Sequence, residues 1–177
     1  MSNAGTDTFD DLVFGYLSSP LSRTADAYGY TASGEFGSVF AKNQALSGYY
    51  NATPLVFDSF DPSVRGIGGN FYGTNPIGQE IVRDLRINWT EVGGATGSAT
   101  LTGATKAQFF GVASGGGFTK FEVSFVQYAD AAYTTVDNVV LGAAVTTVPE
   151  PSTCALMAAG LAALGFVSRR RRRALVA

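Results

Sequence analysis

Two short polar pairs carry most of the chemistry this sequence offers. Asp10-Asp11 lies in Thr8–Phe14 (TFDDLVF), and Asp137-Asn138 lies in Thr135–Gly142 (TVDNVVLG). Acids and amides are depleted inside strands, so an Asp-Asn pair between Val136 and Val139 needs a reason. Carboxylate and amide oxygens are what hard cations bind, so one reading is a Ca2+ site in which Asp137 and Asn138 share the ion with Asp10 or Asp11. The other is a hydrogen-bonded polar network with no metal. No D-x-D-x-D-G loop is present, and the expectation is the network, with no metal and no other cofactor.

The rest of the reactive inventory is thin. There is no His, which removes the commonest general base, the Ser-His-Asp and Cys-His arrangements and the commonest transition-metal ligand. The single Cys, Cys154, lies in an apolar run, so neither an internal disulfide nor a thiolate metal cluster can form. Paired carboxylates serve glycosidases, and Glu35, Asp58, Asp61, Glu80 and Glu91 are candidates. None sits in a recognisable motif, so no enzyme activity and no catalytic residue is expected. Gly66-Ile67-Gly68-Gly69-Asn70 is not followed by a helix and reads as a glycine-rich strand rather than a phosphate loop. Tyr28, Tyr30, Tyr49, Tyr50 and Tyr133 fall in loop-like stretches, where they can either stack on sugar rings or pack ordinarily.

The elements that must position these residues are short strands. Of 177 residues, 46% are hydrophobic, 22 are Gly, 13 Phe and 8 Tyr, and mean hydropathy is +0.14, enough to build a core. Asp84–Thr90 alternates, with Leu85, Ile87 and Trp89 on one face; Thr119–Tyr128 alternates, with Phe121, Val123 and Phe125 inward. Further strands are expected over Thr8–Phe14, Glu35–Ala41, Leu55–Phe60, Arg65–Tyr72, Ser98–Leu101, Ala107–Ala113 and Thr135–Gly142. Residues 15–33 and 42–53 are less patterned and are expected to be long loops. About nine strands with glycine turns and no helical period predict an all-β antiparallel sandwich, most simply jelly-roll-like.

The chain ends in a different register. The net charge of −2 hides a split, because Arg169, Arg170, Arg171, Arg172 and Arg173 supply five of the 12 basic residues. The part before them is acidic, which argues against nucleic acid as a partner. Residues 153–168 carry no charge and predict a short C-terminal transmembrane helix of about 24 Å, against a hydrocarbon core of about 30 Å. Flanking arginines extend its reach by snorkelling, and act as a stop-transfer signal that leaves the body on the far side of the membrane. Two prolines hold the junction before it extended.

Val148-Pro149-Glu150-Pro151-Ser152, an apolar helix and an arginine cluster, in that order, resemble the PEP-CTERM sorting signal. The resemblance implies an exported protein of a Gram-negative, exopolysaccharide-producing bacterium, recognised by an exosortase-type sorting protease. It also implies anchoring in the inner membrane, cleavage near Pro149-Glu150-Pro151, and delivery to the envelope, cell surface or extracellular space. Such proteins begin with a signal peptide, and none is visible in MSNAGTDTFDD, which has neither a basic nor an apolar region.

The body resembles sandwiches similar to carbohydrate-binding modules, where a Phe-Asp pair opens the first strand and an Asp-Asn pair sits in the last. That resemblance implies that Asp10, Asp11, Asp137 and Asn138 come together when the terminal strands pair. The expected organisation is an extracellular β-sandwich over residues 1–147 and a sorting tail over 148–177. The expected role is a non-enzymatic surface or matrix protein with polysaccharide as candidate ligand. An extracellular polysaccharide hydrolase and a purely structural surface protein are the rival readings.

Overall fold

The computed structural model describes residues 3–34, 38–49, 53–127 and 131–144. Pro149–Pro151, the apolar run 153–168 and Arg169–Arg173 lie outside them, as do Glu35 and Tyr50. Among the described residues no helix is long and apolar enough to cross a membrane. The compact β unit runs through Ala144.

In chain order the strands are β1 (Ala4–Asp7), β2 (Gly15–Leu17), β3 (Leu21–Ala25), β4 (Tyr28–Gly34), β5 (Val39–Lys42), β6 (Ala45–Gly48) and β7 (Leu55–Asp58). They continue with β8 (Val64–Thr74), β9 (Glu80–Ile81), β10 (Arg83–Glu91), β11 (Thr96–Ala104), β12 (Phe110–Ala113), β13 (Phe118–Phe125) and β14 (Tyr133–Ala143). All pairings are antiparallel and build two sheets. The eight-stranded sheet has the order β12-β8-β14-β6-β5-β2, with β1 also on β14 and β9 also on β8. The six-stranded sheet has the order β11-β10-β13-β7-β4-β3.

The alternating runs do what their period requires. Leu85 and Ile87 of β10 are fully buried opposite Phe125 and Val123 of β13. Phe57, Phe71 and Phe121 meet between the sheets with ring centroids 5.5 to 6.5 Å apart. Trp89, on the same face as Leu85 and Ile87, packs against the core but is only partly buried, its indole lying over Gly97 of β11. A Cβ at Gly97 would stand 2.2 Å from that ring, so the strand carries glycine there.

Three expectations fail. Thr8–Phe14 is not a strand: the N-terminal strand is β1, and Asp10-Asp11 form a turn closed by Leu12 N–H on the Phe9 carbonyl at 3.0 Å. Phe9 takes a left-handed φ of 57°, which breaks the extended path while burying its ring in the core. The stretch 15–33 is not a loop. It holds β2, β3 and most of β4, with Leu21–Ala25 pairing with Tyr28–Ala32 about an Asp26-Ala27 turn. The stretch 42–53 likewise contains β6, hairpinned to β5. These strands are short and rich in small residues, so cross-strand pairing rather than propensity selects them.

β14 explains the mid-strand Asp-Asn pair. Asp137 pairs with Asn70 of β8 and Val140 with Gly68, so β14 carries one extra residue between them. This β-bulge places Asn138 at φ 52°, a left-handed conformation that Asn tolerates better than most residues. At the same point the neighbour on the other edge changes, from β6 at residues 135–136 to β1 at residues 139–142.

Candidate functional site

The four residues expected to cluster separate into two environments. Asp137 accepts from the Asn138 backbone N–H at 2.7 Å, and Asn138 Nδ2 donates to Asn70 Oδ1 at 3.2 Å. Asn70 Nδ2 in turn donates to the Gln108 carbonyl at 3.1 Å, tying β14 through β8 to the turn before β12. Burial pushes the Asp137 carboxyl above the usual carboxylate range; the Asn138 N–H opposes that, the charge of Asp10 adds to it, and Lys106 opposes it. Asp10 thus faces Asp137 electrostatically, whereas Asp11 does not join them. Among the described residues no group of three or more His, Cys, Asp or Glu side chains is arranged to hold a metal ion.

Asp11 belongs to a second network centred on Arg23 of β3. The guanidinium donates to both oxygens of Asp7 at 2.8 and 2.6 Å and to both oxygens of Asp11 at 2.8 and 2.6 Å. Tyr30 Oη donates to Asp7 at 2.7 Å and the Phe9 N–H to Asp7 at 3.1 Å. The guanidinium also lies over the Phe9 ring, 5.4 Å from its centroid. Burial, and then the Asp7 charge, holds the Tyr30 phenol far above its ordinary range. This network is saturated internally and pins the 8–14 turn to β3 and β4. Tyr30, expected in a loop, is therefore a core residue.

The remaining sequence candidates are scattered. Asp58 accepts from Thr31 Oγ1 and from Ser59 Oγ, Asp61 from the Ser63 N–H and hydroxyl, and Glu91 from Ser114 Oγ at 2.5 Å. Each is engaged in local turn or strand bonding.

The arrangement with binding geometry lies elsewhere, on the outer face of the eight-stranded sheet. The register places Tyr16 of β2, Phe40 of β5, Ser47 of β6, Thr135 of β14 and Tyr72 of β8 side by side across five strands. Val136 points into the core, so Thr135 and its row point away from it. A cavity of about 280 Å³ opens on this face. Tyr16, Phe40 and Tyr49 form one wall, with Tyr16 meeting Phe40 edge-on at 5.2 Å and Tyr49 at 4.7 Å. Tyr133, Gly48, Asn75 and Pro76 complete the rim together with Lys42.

The floor presents Ser47 and Thr74, whose hydroxyls each bond Oγ1 of the buried Thr135, at 2.9 and 2.8 Å. The turn after β8 closes over from the side: Lys42 Nζ donates to the Pro76 carbonyl at 2.5 Å and Asn43 Nδ2 to the Gly78 carbonyl at 3.3 Å. Asn75 holds that turn by accepting from the backbone N–H groups of Ile77 and Gln79. The Tyr16 hydroxyl donates to that of Tyr49 at 3.1 Å; this bond and the charge coupling behind it keep the Tyr49 phenol above its ordinary range, hence neutral. Tyr72, at the far end of the row, is pushed up to about 12 by burial and then by Asp137 and Glu80.

Of the tyrosines expected to be available for stacking, Tyr49 and Tyr133 line this cavity. Tyr28 packs against the core, and Tyr50 lies outside the described residues. Tyr16, Phe40, Lys42, Ser47 and Thr74 were not legible as a group. They come from four strands, two of them (β2 and β6) in stretches without clear alternation, and only the register unites them.

Residues 147–173 match the PEP-CTERM protein-sorting motif, a segment that contains Pro149–Pro151 and Arg169–Arg173. The motif implies an exported, exosortase-sorted cell-surface protein. No curated protein matches the chain. Several solved structures are similar to this chain at low identity. The K2 cleaved adhesin domain of Lys-gingipain is 12% identical with a TM-score of 0.41, over 80% of this chain and 98% of that one. The GH26-CBM35 β-(1,4)-mannanase of Podospora anserina is 11% identical with a TM-score of 0.36, over 84% of this chain and 29% of that one. The family 11 carbohydrate-binding module of a cellulosomal cellulase of Clostridium thermocellum is 10% identical with a TM-score of 0.34, over 81% and 96%. Nothing about ligand follows from likenesses of this size.

Proposed function

We propose that this chain is an exported, non-enzymatic surface protein whose jelly-roll-like sandwich binds polysaccharide in the aromatic cavity of the eight-stranded sheet. One observation carries the reading: aromatic rings of Tyr16, Phe40 and Tyr49 stand beside the hydroxyl-bearing side chains of Ser47 and Thr74. A sugar ring has apolar C–H faces and a hydroxyl rim, so it needs both surfaces at once. A rigid sheet supplies them with little ordering cost on binding.

A hydrolase would need two carboxylates flanking the scissile bond. Among the described residues no Asp or Glu lines the cavity, which favours binding over turnover in this reading. In this reading the tail holds the protein in the inner membrane until cleavage near Pro149-Glu150-Pro151 releases the body to the surface.

The test is binding to a panel of bacterial exopolysaccharides by affinity electrophoresis, with Phe40→Ala and Tyr49→Ala variants. Retardation by at least one polymer, weakened about tenfold in either variant, is the expected result. Variants that bind as the parent does, or a parent that binds nothing, would remove the cavity from consideration.

A further inference from the structure

Among the described residues the cavity carries one charge, and its sign is opposite to that of the acidic body around it: Lys42 is the one ionised residue of the described lining. Among the described residues, ion pairs occupy Arg23 with Asp7 and Asp11, and Lys120 with Glu122; Lys42 is in none of them. Its one bond is to a neutral acceptor, the Pro76 carbonyl. An ammonium has three donors, so two remain for a ligand. Glu80 pairs in register with Thr74 on the cavity floor, yet it is not part of the lining.

A protein whose body carries an excess of acids has in this way kept carboxylates out of its aromatic cavity and left a cation there. To a neutral sugar that arrangement offers hydrogen bonds alone, from the Lys42 ammonium beside the tyrosine rings. For a sugar bearing a carboxylate it supplies the counter-charge at the edge of the stacking surface, where half-burial reduces screening.

Resting on the polysaccharide-binding reading, we infer that the cavity selects acidic, uronate-bearing polysaccharide, with Lys42 as the residue that discriminates the carboxylate from the uncharged sugar. The specificity is a difference of two affinities, so it is measured as a ratio.

The experiment uses oligosaccharides of galacturonate, glucuronate and mannuronate, each beside its carboxyl-reduced, uncharged counterpart, in calorimetric titrations at low and high salt. At least one uronate should bind about twofold to fivefold tighter than its reduced form at low salt, the range for one partly screened ion pair. High salt should compress the ratio. In Lys42→Met the ratio should fall to near one, while Lys42→Arg, which keeps the charge and a hydrogen-bond donor for Pro76, should retain it; melting curves of both variants report whether the clasp to Pro76 holds. Reduced and acidic forms bound equally by the parent would overturn the inference and leave the polysaccharide reading standing. So would a preference that survives in Lys42→Met. Binding of no member of the panel would overturn both.

Discussion

Replacing Arg23 with Met should destabilise the body by about 3 kcal/mol, and the figure can be worked from the site. The Arg23 and Asp7 side chains are 13% and 3% exposed, and two charge-assisted bonds at 2.8 and 2.6 Å join them. Methionine keeps much of the apolar stem packing, so the loss is chiefly electrostatic. Breaking a buried ion pair by removing one partner costs about 3–5 kcal/mol, because the other charge stays buried. Asp7 retains the Tyr30 hydroxyl and the Phe9 N–H as donors, and an open depression beside it admits water, which places the estimate at the lower end.

Asp11 provides the internal control. Its side chain is 68% exposed, so Asp11→Asn should cost less than about 1 kcal/mol despite equally short bonds to Arg23. Urea denaturation gives the free energies, and the melting temperature of Arg23→Met should fall by about 10 °C. The Arg23 hydrogen bond holds the Asp11 carboxyl below the usual range. Its small contribution is therefore complete above the unfolded carboxylate value of about 3.9 and is lost as pH falls through the depressed folded value. The difference between parent and Asp11→Asn should close in acid. A loss of under about 1 kcal/mol for Arg23→Met, or an Asp11→Asn variant equally impaired, would refute the assignment of the stability to the Asp7 pair.

Asp137→Asn should raise stability at neutral pH by about 0.5 kcal/mol or less, since the new side chain still accepts from the Asn138 N–H. The folded-state carboxyl titrates above its unfolded value, so its ionisation opposes folding and the penalty grows as pH rises through that window. Calcium and chelator should give one melting curve; a calcium-dependent rise that Asp137→Asn abolishes would instead restore the cation reading of Asp10, Asp137 and Asn138. In a host containing the sorting protease, intact-mass measurement should find the chain cut near Pro149-Glu150-Pro151 or still held in the membrane fraction. A full-length chain soluble in the cytoplasm would contradict the sorting reading.

The parts of the fold legible in the sequence are those where one face is buried and the other wet. Leu85/Ile87 and Phe121/Val123 announced β10 and β13 because a period of two is what a half-buried strand demands. Thr8–Phe14 misled because its apolar residues at 9, 12 and 14 suit a turn that tucks Phe9 inward as well as they suit a strand. The Asp-Asn pair in β14 was read as a polar network or cation site; the bulge it occupies is a property of pairing with β8 that a single strand does not display. The aromatic cavity was least legible, since Tyr16, Phe40, Ser47 and Thr74 become neighbours only through register.

The position of β14 has a bearing on the order in which the protein can form. It is the last strand among the described residues and sits within the eight-stranded sheet, bonded to β8 along one edge and to β6 and β1 along the other. A chain emerging N-terminus first can form the β5–β6 and β3–β4 hairpins early, since their loops are short. The sheet that carries the cavity stays open until Ala143 has followed, leaving the first strand without its partner. The sorting segment comes directly after that residue. Completion of the sandwich thus precedes arrival of the address, and a chain truncated anywhere before β14 lacks both a closed sheet and the sorting motif.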